Sequence, residues 1–245
     1  MRMLPLLAMD LPGASDAVKP CRPTVSCTAD LAAPGTLEIE SGVFASRNES
    51  GTRAWSTPFL IKSTVLKPLQ IQLTGNGFVT VSPNSRYFDN LAVGPKFQIV
   101  DQTNLRPSLA ITALGSIPMP EQPGYAPHGH AFFTGHASKD IGAFHLDLNG
   151  GVNLWALEGP LAAQGFGAFA VAYALPAPFG VAAEIYGFTN ANPLALHDAG
   201  LRVYLSASAR PWLIFDVGVD AGFFPSTRTF SALFGMSIMP AVLWR

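Results

Sequence analysis

Apolar and polar side chains alternate one for one through much of the chain, most plainly between residues 199 and 223. Leu201, Val203, Leu205 and Ala207 share one parity, and Arg202, Tyr204, Ser206 and Ser208 share the other. After a reversal at 209–211, Leu213, Phe215, Val217, Val219 and Ala221 oppose Ile214, Asp216, Gly218 and Asp220. Period-two alternation gives each set its own face of a sheet, so the stretch predicts an antiparallel hairpin with one apolar and one ionised face. With a three-residue turn, Arg202 lies opposite Gly218 and diagonal to Asp216 and Asp220, and Tyr204 lies opposite Asp216.

The pattern recurs from residue 36 onward. Leu37 and Ile39 alternate with Glu38 and Glu40, and Phe59 and Ile61 with Leu60 and Lys62. Leu69, Ile71 and Leu73, continuing to Val79 and Val81, alternate with Gln70, Gln72 and Thr74. A loop at 82–89 precedes Leu91, Val93, Phe97 and Ile99 against Lys96 and Gln98. Further strands are predicted near 109–113, 130–137, 141–153, 165–175, 178–188 and 230–238, with no convincing helix. Connections alternate strictly between short and long. That rhythm, with about twelve strands, predicts an all-β fold, a transmembrane antiparallel up-and-down β-barrel with short periplasmic turns and long outer loops. A soluble sandwich has no reason to keep such a rhythm, and a propeller would show a repeat that is absent here.

Composition supports this architecture. Charged residues make up 13% of the 245 positions and apolar ones 49%, with 23 Gly and 21 Pro. Mean hydropathy is +0.28. No run reaches the roughly 20 apolar residues of a membrane helix. A chain apolar in sum but not in any one run suits a strand-built membrane protein. The net charge of −1 comes with no basic patch, which argues against nucleic acid.

Residues 1–35 read as a signal-like remnant and periplasmic lead-in, and 36–245 as the outer-membrane barrel. Residues 1–9 carry a signal peptide's charge and apolar character, but Asp10 cuts them short, which suggests a truncated or misassigned start. Cys21 and Cys27, set among prolines, suit a short disulfide loop in an oxidising compartment; unlinked thiols or half a metal site are the other readings.

If the apolar parity faces lipid, the other parity lines the lumen. Candidates for the solute path are Glu38, Glu40, Lys62, Gln72, Lys96, His136, His145, Asp147, Glu184, Arg202, Tyr204, Asp216 and Asp220. Ionised groups of both signs inside a barrel pair and hold the wall, or form a selective constriction. His128, His130 and His136 share a parity, and a short turn at Ser138 would bring His145 and Asp147 near them on the inner face, but the spacing matches no compact metal motif and His128 lies in a loop, so no metal or cofactor is assigned. Lipid hydrolysis would need Ser and His together on the outer face, whereas the strand histidines fall on the inner one and His197-Asp198 point apart. No catalytic residue is assigned and no enzyme is expected. Trp55, Phe59, Tyr87, Phe88, Trp155, Phe166 and Phe188 near the long loops, with Trp212 near a short turn, suggest two interfacial girdles.

Residues 34–42 (PGTLEIESG), then 57–62 (TPFLIK) and 69–73 (LQIQL), resemble the opening of the outer-membrane transporter family named for the MetA pathway of phenol degradation. The resemblance covers about residue 34 to the end, and it implies a β-barrel for uptake of small, often hydrophobic or aromatic compounds. An ending of Trp244 then Arg245 departs from the usual terminal aromatic and puts the last strand in doubt. The expected function is a passive outer-membrane channel or uptake transporter. The alternative is a non-transporting barrel with a structural role or a partner at its long loops. Expected partners are the lipid bilayer and lipopolysaccharide, a small-molecule solute and the outer-membrane assembly machinery.

Overall fold

In the computed structural model, which describes residues 17–22, 24–82, 85–89, 91–117, 119, 129–156, 161–190, 197–224 and 227–244, the alternating segments become one closed antiparallel sheet. In chain order the strands are β1 (Thr36–Arg47), β2 (Arg53–Ser56), β3 (Phe59–Leu66), β4 (Leu69–Gly75), β5 (Phe78–Val81), β6 (Ser85–Phe88), β7 (Leu91–Val100) and β8 (Ser108–Ile117). They continue with β9 (His130–Ile141), β10 (Phe144–Trp155), β11 (Ala162–Ala174), β12 (Phe179–Phe188), β13 (Asp198–Arg210), β14 (Leu213–Gly222) and β15 (Phe230–Val242). Each strand pairs with its neighbours, and β15 closes on β1 from Thr36↔Val242 to Arg47↔Phe230. Pairing of β15 with β1 joins the two ends of the ladder and so removes the edges that an open sheet would leave unsatisfied in lipid.

The fifteen segments make a barrel of twelve strands, because three strands are interrupted. β1 keeps a single register against β2 and β3 across the break at Thr57 and Pro58. The break between β4 and β5 inserts one extra residue. Gly77 there has φ +62, and a Cβ would lie 2.4 Å from the Thr57 carbonyl oxygen. That bulge turns the rest of the strand over. Residues 85–88, expected within a loop, pair with β5 as β6, carrying the wall further out before β7.

Two turns are tighter than the sequence suggests. β9 runs to Ile141 and reverses at Gly142, whose φ of +62 suits the first position of a two-residue hairpin, so 138–140 belong to the strand. In the 199–223 hairpin, Arg210 pairs with Leu213 and a bulge absorbs Ala209. Pro211 holds the φ that a tight turn needs. The expected register is corrected accordingly: Arg202 faces Asp220, Tyr204 faces Gly218, and Ser206 faces Asp216.

The two faces are inverted relative to a protein in water. Leu205, Val217 and Phe234 are 53%, 51% and 58% exposed on the outer surface, while Glu40, Lys62 and Asp220 are almost wholly buried inside. An apolar outer belt with ionised groups within is stable only where the surroundings are hydrocarbon. Trp55 stands on that outer face. The girdle expectation fails for Tyr87, Trp155, Phe166 and Phe188, which line an internal cavity instead, because each falls on the inward parity of its strand.

The lead-in is part of the barrel's interior. Val18 enters at the short-turn end, its N–H donating to the Pro211 carbonyl at 3.1 Å. With Ala32 and Met239 it forms a small apolar cluster against Trp212 and Ile214, which takes Trp212 out of the expected girdle. The segment rises into the lumen, crosses it, and descends to Gly35, which is tied to Thr64 and Leu243 at the foot of the wall. The signal-like stretch and His128 lie outside the described residues.

Candidate functional site

Residues 18–22 and 24–34 form a plug, and inward carboxylates and cations clasp it. Glu40 on β1 accepts the backbone N–H of Cys21 at 3.0 Å and of Arg22 at 2.8 Å. Glu184, across the lumen on β12, accepts the N–H of Val25 at 2.8 Å and of Ser26 at 2.7 Å, and the Ser26 hydroxyl at 2.7 Å. Cys21 and Cys27 are joined as a disulfide, so the turn between these two clasps is covalently closed. An irregular segment has no ladder for its N–H groups, and two carboxylates supply the missing acceptors.

The remaining inward charges extend the clasp. Lys62 lies 3.2 Å from Glu38 and 2.6 Å from Glu40, and its ammonium also donates to the Lys19 carbonyl. Glu38 in turn accepts the Lys19 N–H at 2.6 Å. Lys96 on β7 donates to the Thr28 carbonyl and lies 3.5 Å from Cys27 Sγ. Arg22 reaches Asp216 at 3.6 Å. The hollow that admits its guanidinium is made by Gly42 and Gly235, paired across β1 and β15; a Cβ on either would come within 2.4 Å of Arg22 Nη2.

On β9 and β10, His136 and Asn149 form a second contact with the plug. His136 Nδ1 lies 2.8 Å from Asn149 Oδ1 and 3.2 Å from the Cys27 carbonyl, while Nε2 lies 2.8 Å from the Thr112 hydroxyl. Two acceptors at Nδ1 place the proton there and leave Nε2 to accept from Thr112. Asn149 Oδ1 also accepts the Cys27 N–H at 2.8 Å. His145 sits lower, 2.6 Å from Asp140 and 3.2 Å from Asp147, and Asp147 accepts the Ser138 hydroxyl at 2.5 Å. His136 and His145 therefore face different partners, and no metal-ligating cluster of three or more forms among the described residues.

Arg202 lies 3.0 Å from Asp220 and 3.8 Å from Glu184. Asp220 also accepts the Tyr186 hydroxyl at 2.9 Å and lies 3.5 Å from Arg228. Both guanidinium groups stand over the Tyr186 and Phe44 rings at 5.3–6.0 Å. Gln72 donates to Gln70 at 2.8 Å on the opposite wall. Tyr204 lies below Arg202, outside this network of ion pairs, against a smaller cavity of its own.

Above the plug is a cavity of about 860 Å³. Its floor is Cys21, Arg22 and 24–27, and its walls include Phe44, Phe132, Trp155, Phe166 and Phe188 with Gln72, Asn149, Arg202 and Arg228 between them. His130, Phe132 and Trp155 form one aromatic group, and Phe166 stacks on Phe188 at 5.6 Å. Such a surface can hold a small apolar or aromatic body while its scattered polar groups orient it.

Sequence parity placed the wall residues on the inner face, but Arg22, Ser26 and the paired glycines 42 and 235 gave no alternating signal. Ile214 carries a trace of the plug: it is an apolar side chain on the polar parity, packed against the cluster of Val18, Ala32 and Met239.

No protein-family model matches the chain, and no curated protein matches it. Among solved structures, an outer membrane channel from Pseudomonas putida F1 superposes with a TM-score of 0.64 at 10% identity, covering 94% of this chain and 99% of that one. NanC porin superposes with a TM-score of 0.58 at 11% identity, over 82% of this chain and 98% of that one. The shared fold is that of bacterial outer-membrane channels.

Proposed function

We propose that the protein is a passive outer-membrane channel or uptake transporter for small, often hydrophobic or aromatic compounds, moving them down a gradient with no covalent chemistry. The observation that carries this reading is the aromatic-lined cavity of about 860 Å³ above the plug. A solid or purely ionic interior would suit a structural barrel better. The resemblance to the phenol-degradation transporters supports the same solute class. Glu38, Glu40, Lys62, Gln72, Lys96, His136, Glu184, Arg202 and Asp216 are then the walls and clasps of a path that the plug narrows. Lipopolysaccharide and the assembly machinery are the partners that such a barrel meets in the outer membrane.

Flux tests the reading. Correctly folded protein in planar bilayers should pass ions in small steps, and proteoliposomes should take up a small aromatic solute faster than protein-free ones. Absence of both from protein with heat-modifiable gel mobility would end the channel reading.

A further inference from the structure

Below the large cavity, on the periplasmic half, a second cavity of about 370 Å³ lies along β10–β13. Its inward wall is His145, Ala172, Ala182, Tyr204 and Ser206, and apart from His145 and Tyr204 these side chains are small. The opposite wall at this height is different. There Lys62, Gln70, Lys96 and Gln98 are long and buried, Lys62 bound to the rising limb of the plug at Lys19, and Lys96 and Gln98 to the descending limb at Thr28 and Asp30. Large side chains plus plug fill one side of the lumen, and small side chains leave the other side empty.

The two cavities have no lining residue in common, yet they are separated by only one layer of side chains. On β12, Tyr186 lines the upper cavity and Ala182 the lower, with Glu184 between them. On β10, Asn149 and His145 stand in the same relation, with Asp147 between. On β13, Arg202 belongs to the upper cavity and Tyr204, the next inward residue, to the lower. The layer is completed from the plug by Val25 and Ser26, held on Glu184.

We propose that solute leaves the upper cavity along the β10–β13 wall, through a gate made by Glu184 with its bound plug residues Val25 and Ser26, with Tyr204 setting the width immediately below. The proposal rests on the channel reading and specifies its route. The plug need not leave the barrel for passage. Displacement of one turn of backbone from one carboxylate joins the two cavities, and the disulfide keeps that turn from unravelling further. Tyr204 is a selectivity residue under this scheme: its ring limits what passes, and it is not part of the ion-pair network that supports the wall.

The test compares two thiols in planar bilayers, since the native cysteines are paired and only an introduced thiol reacts with an anionic methanethiosulfonate. Ser206→Cys puts the thiol in the lower cavity, and Ser108→Cys puts it on the filled wall. All variants are first required to show the heat-modifiable mobility of folded protein. The reagent should reduce Ser206→Cys conductance by about half or more and leave Ser108→Cys unchanged, and Tyr204→Ala should raise conductance about twofold. If wild-type protein conducts but Ser206→Cys does not respond to reagent, or Ser108→Cys responds as strongly, the route is wrong while the channel stands. If wild-type and Tyr204→Ala proteins are both closed, route and channel reading fall together.

Discussion

Ser26 gives both of its donors to one oxygen of Glu184, its N–H and its hydroxyl each lying 2.7 Å from Oε1. A residue of the N-terminal segment is thereby fixed to a strand 158 positions later. Hydrogen bonds to an ionised acceptor contribute about 1.5–3 kcal/mol each where water is excluded. Water in a lumen reduces that, so Glu184→Ala should destabilise the plug by about 2 kcal/mol and raise channel conductance. Glu184→Gln, which retains one acceptor oxygen, should fall between. Bilayer recordings beside amide exchange at Val25 and Ser26 read both effects, and unchanged values in both would show that this contact holds nothing.

Reduction of the Cys21–Cys27 disulfide should loosen the plug without opening the barrel. The bond closes a loop of six positions between the Glu40 and Glu184 contacts. Removing it returns freedom to that loop, and amides 21, 22, 25 and 26 should exchange about tenfold faster. Wall amides in β9–β12 should keep their protection. Equal loss of protection in plug and wall would contradict the division of labour.

Valine at Gly42 or at Gly235 should evict Arg22. Either Cβ would occupy the place of the guanidinium, and the Asp216 ion pair would be lost with it. The two substitutions share one cause, so their effects on exchange at Cys21 and Arg22 should match and should not add in the double variant. Full additivity would mean that the glycines serve the β1–β15 pairing and not the plug.

Arg202→Ala should cost about 2 kcal/mol, read as a lower temperature for the heat-modifiable transition. The value is below that of a fully isolated pair because Arg228 remains 3.5 Å from Asp220. Adding Asp220→Asn should recover part of the loss, and a double variant as unstable as the sum of the singles would dissolve the pairing.

The barrel was legible because each strand must show one parity to lipid and the other to the lumen, so Leu201, Val203 and Leu205 betray their neighbours. Turn register was not. Pro211 and the bulge at Ala209 shift the 199–223 hairpin so that Arg202 faces Asp220 directly, a detail no alternation encodes. The plug was invisible for a further reason: an irregular segment held through its backbone leaves no periodic trace. Its marks lie elsewhere, in carboxylates Glu40 and Glu184 that exceed the wall's own need for partners, in the apolar Ile214 on an ionised row, and in glycines 42 and 235. Aromatics near strand ends misled in the same way, because position along a strand does not tell which face Trp155 or Phe188 occupies.

As proposed, the N-terminal segment narrows the channel. Single-channel conductance of the full chain against one lacking residues 17–33 tests it most directly. Small, steady steps are expected from the full chain and steps several-fold larger without the plug. Equal conductance from the two, or none from either, would contradict the proposal.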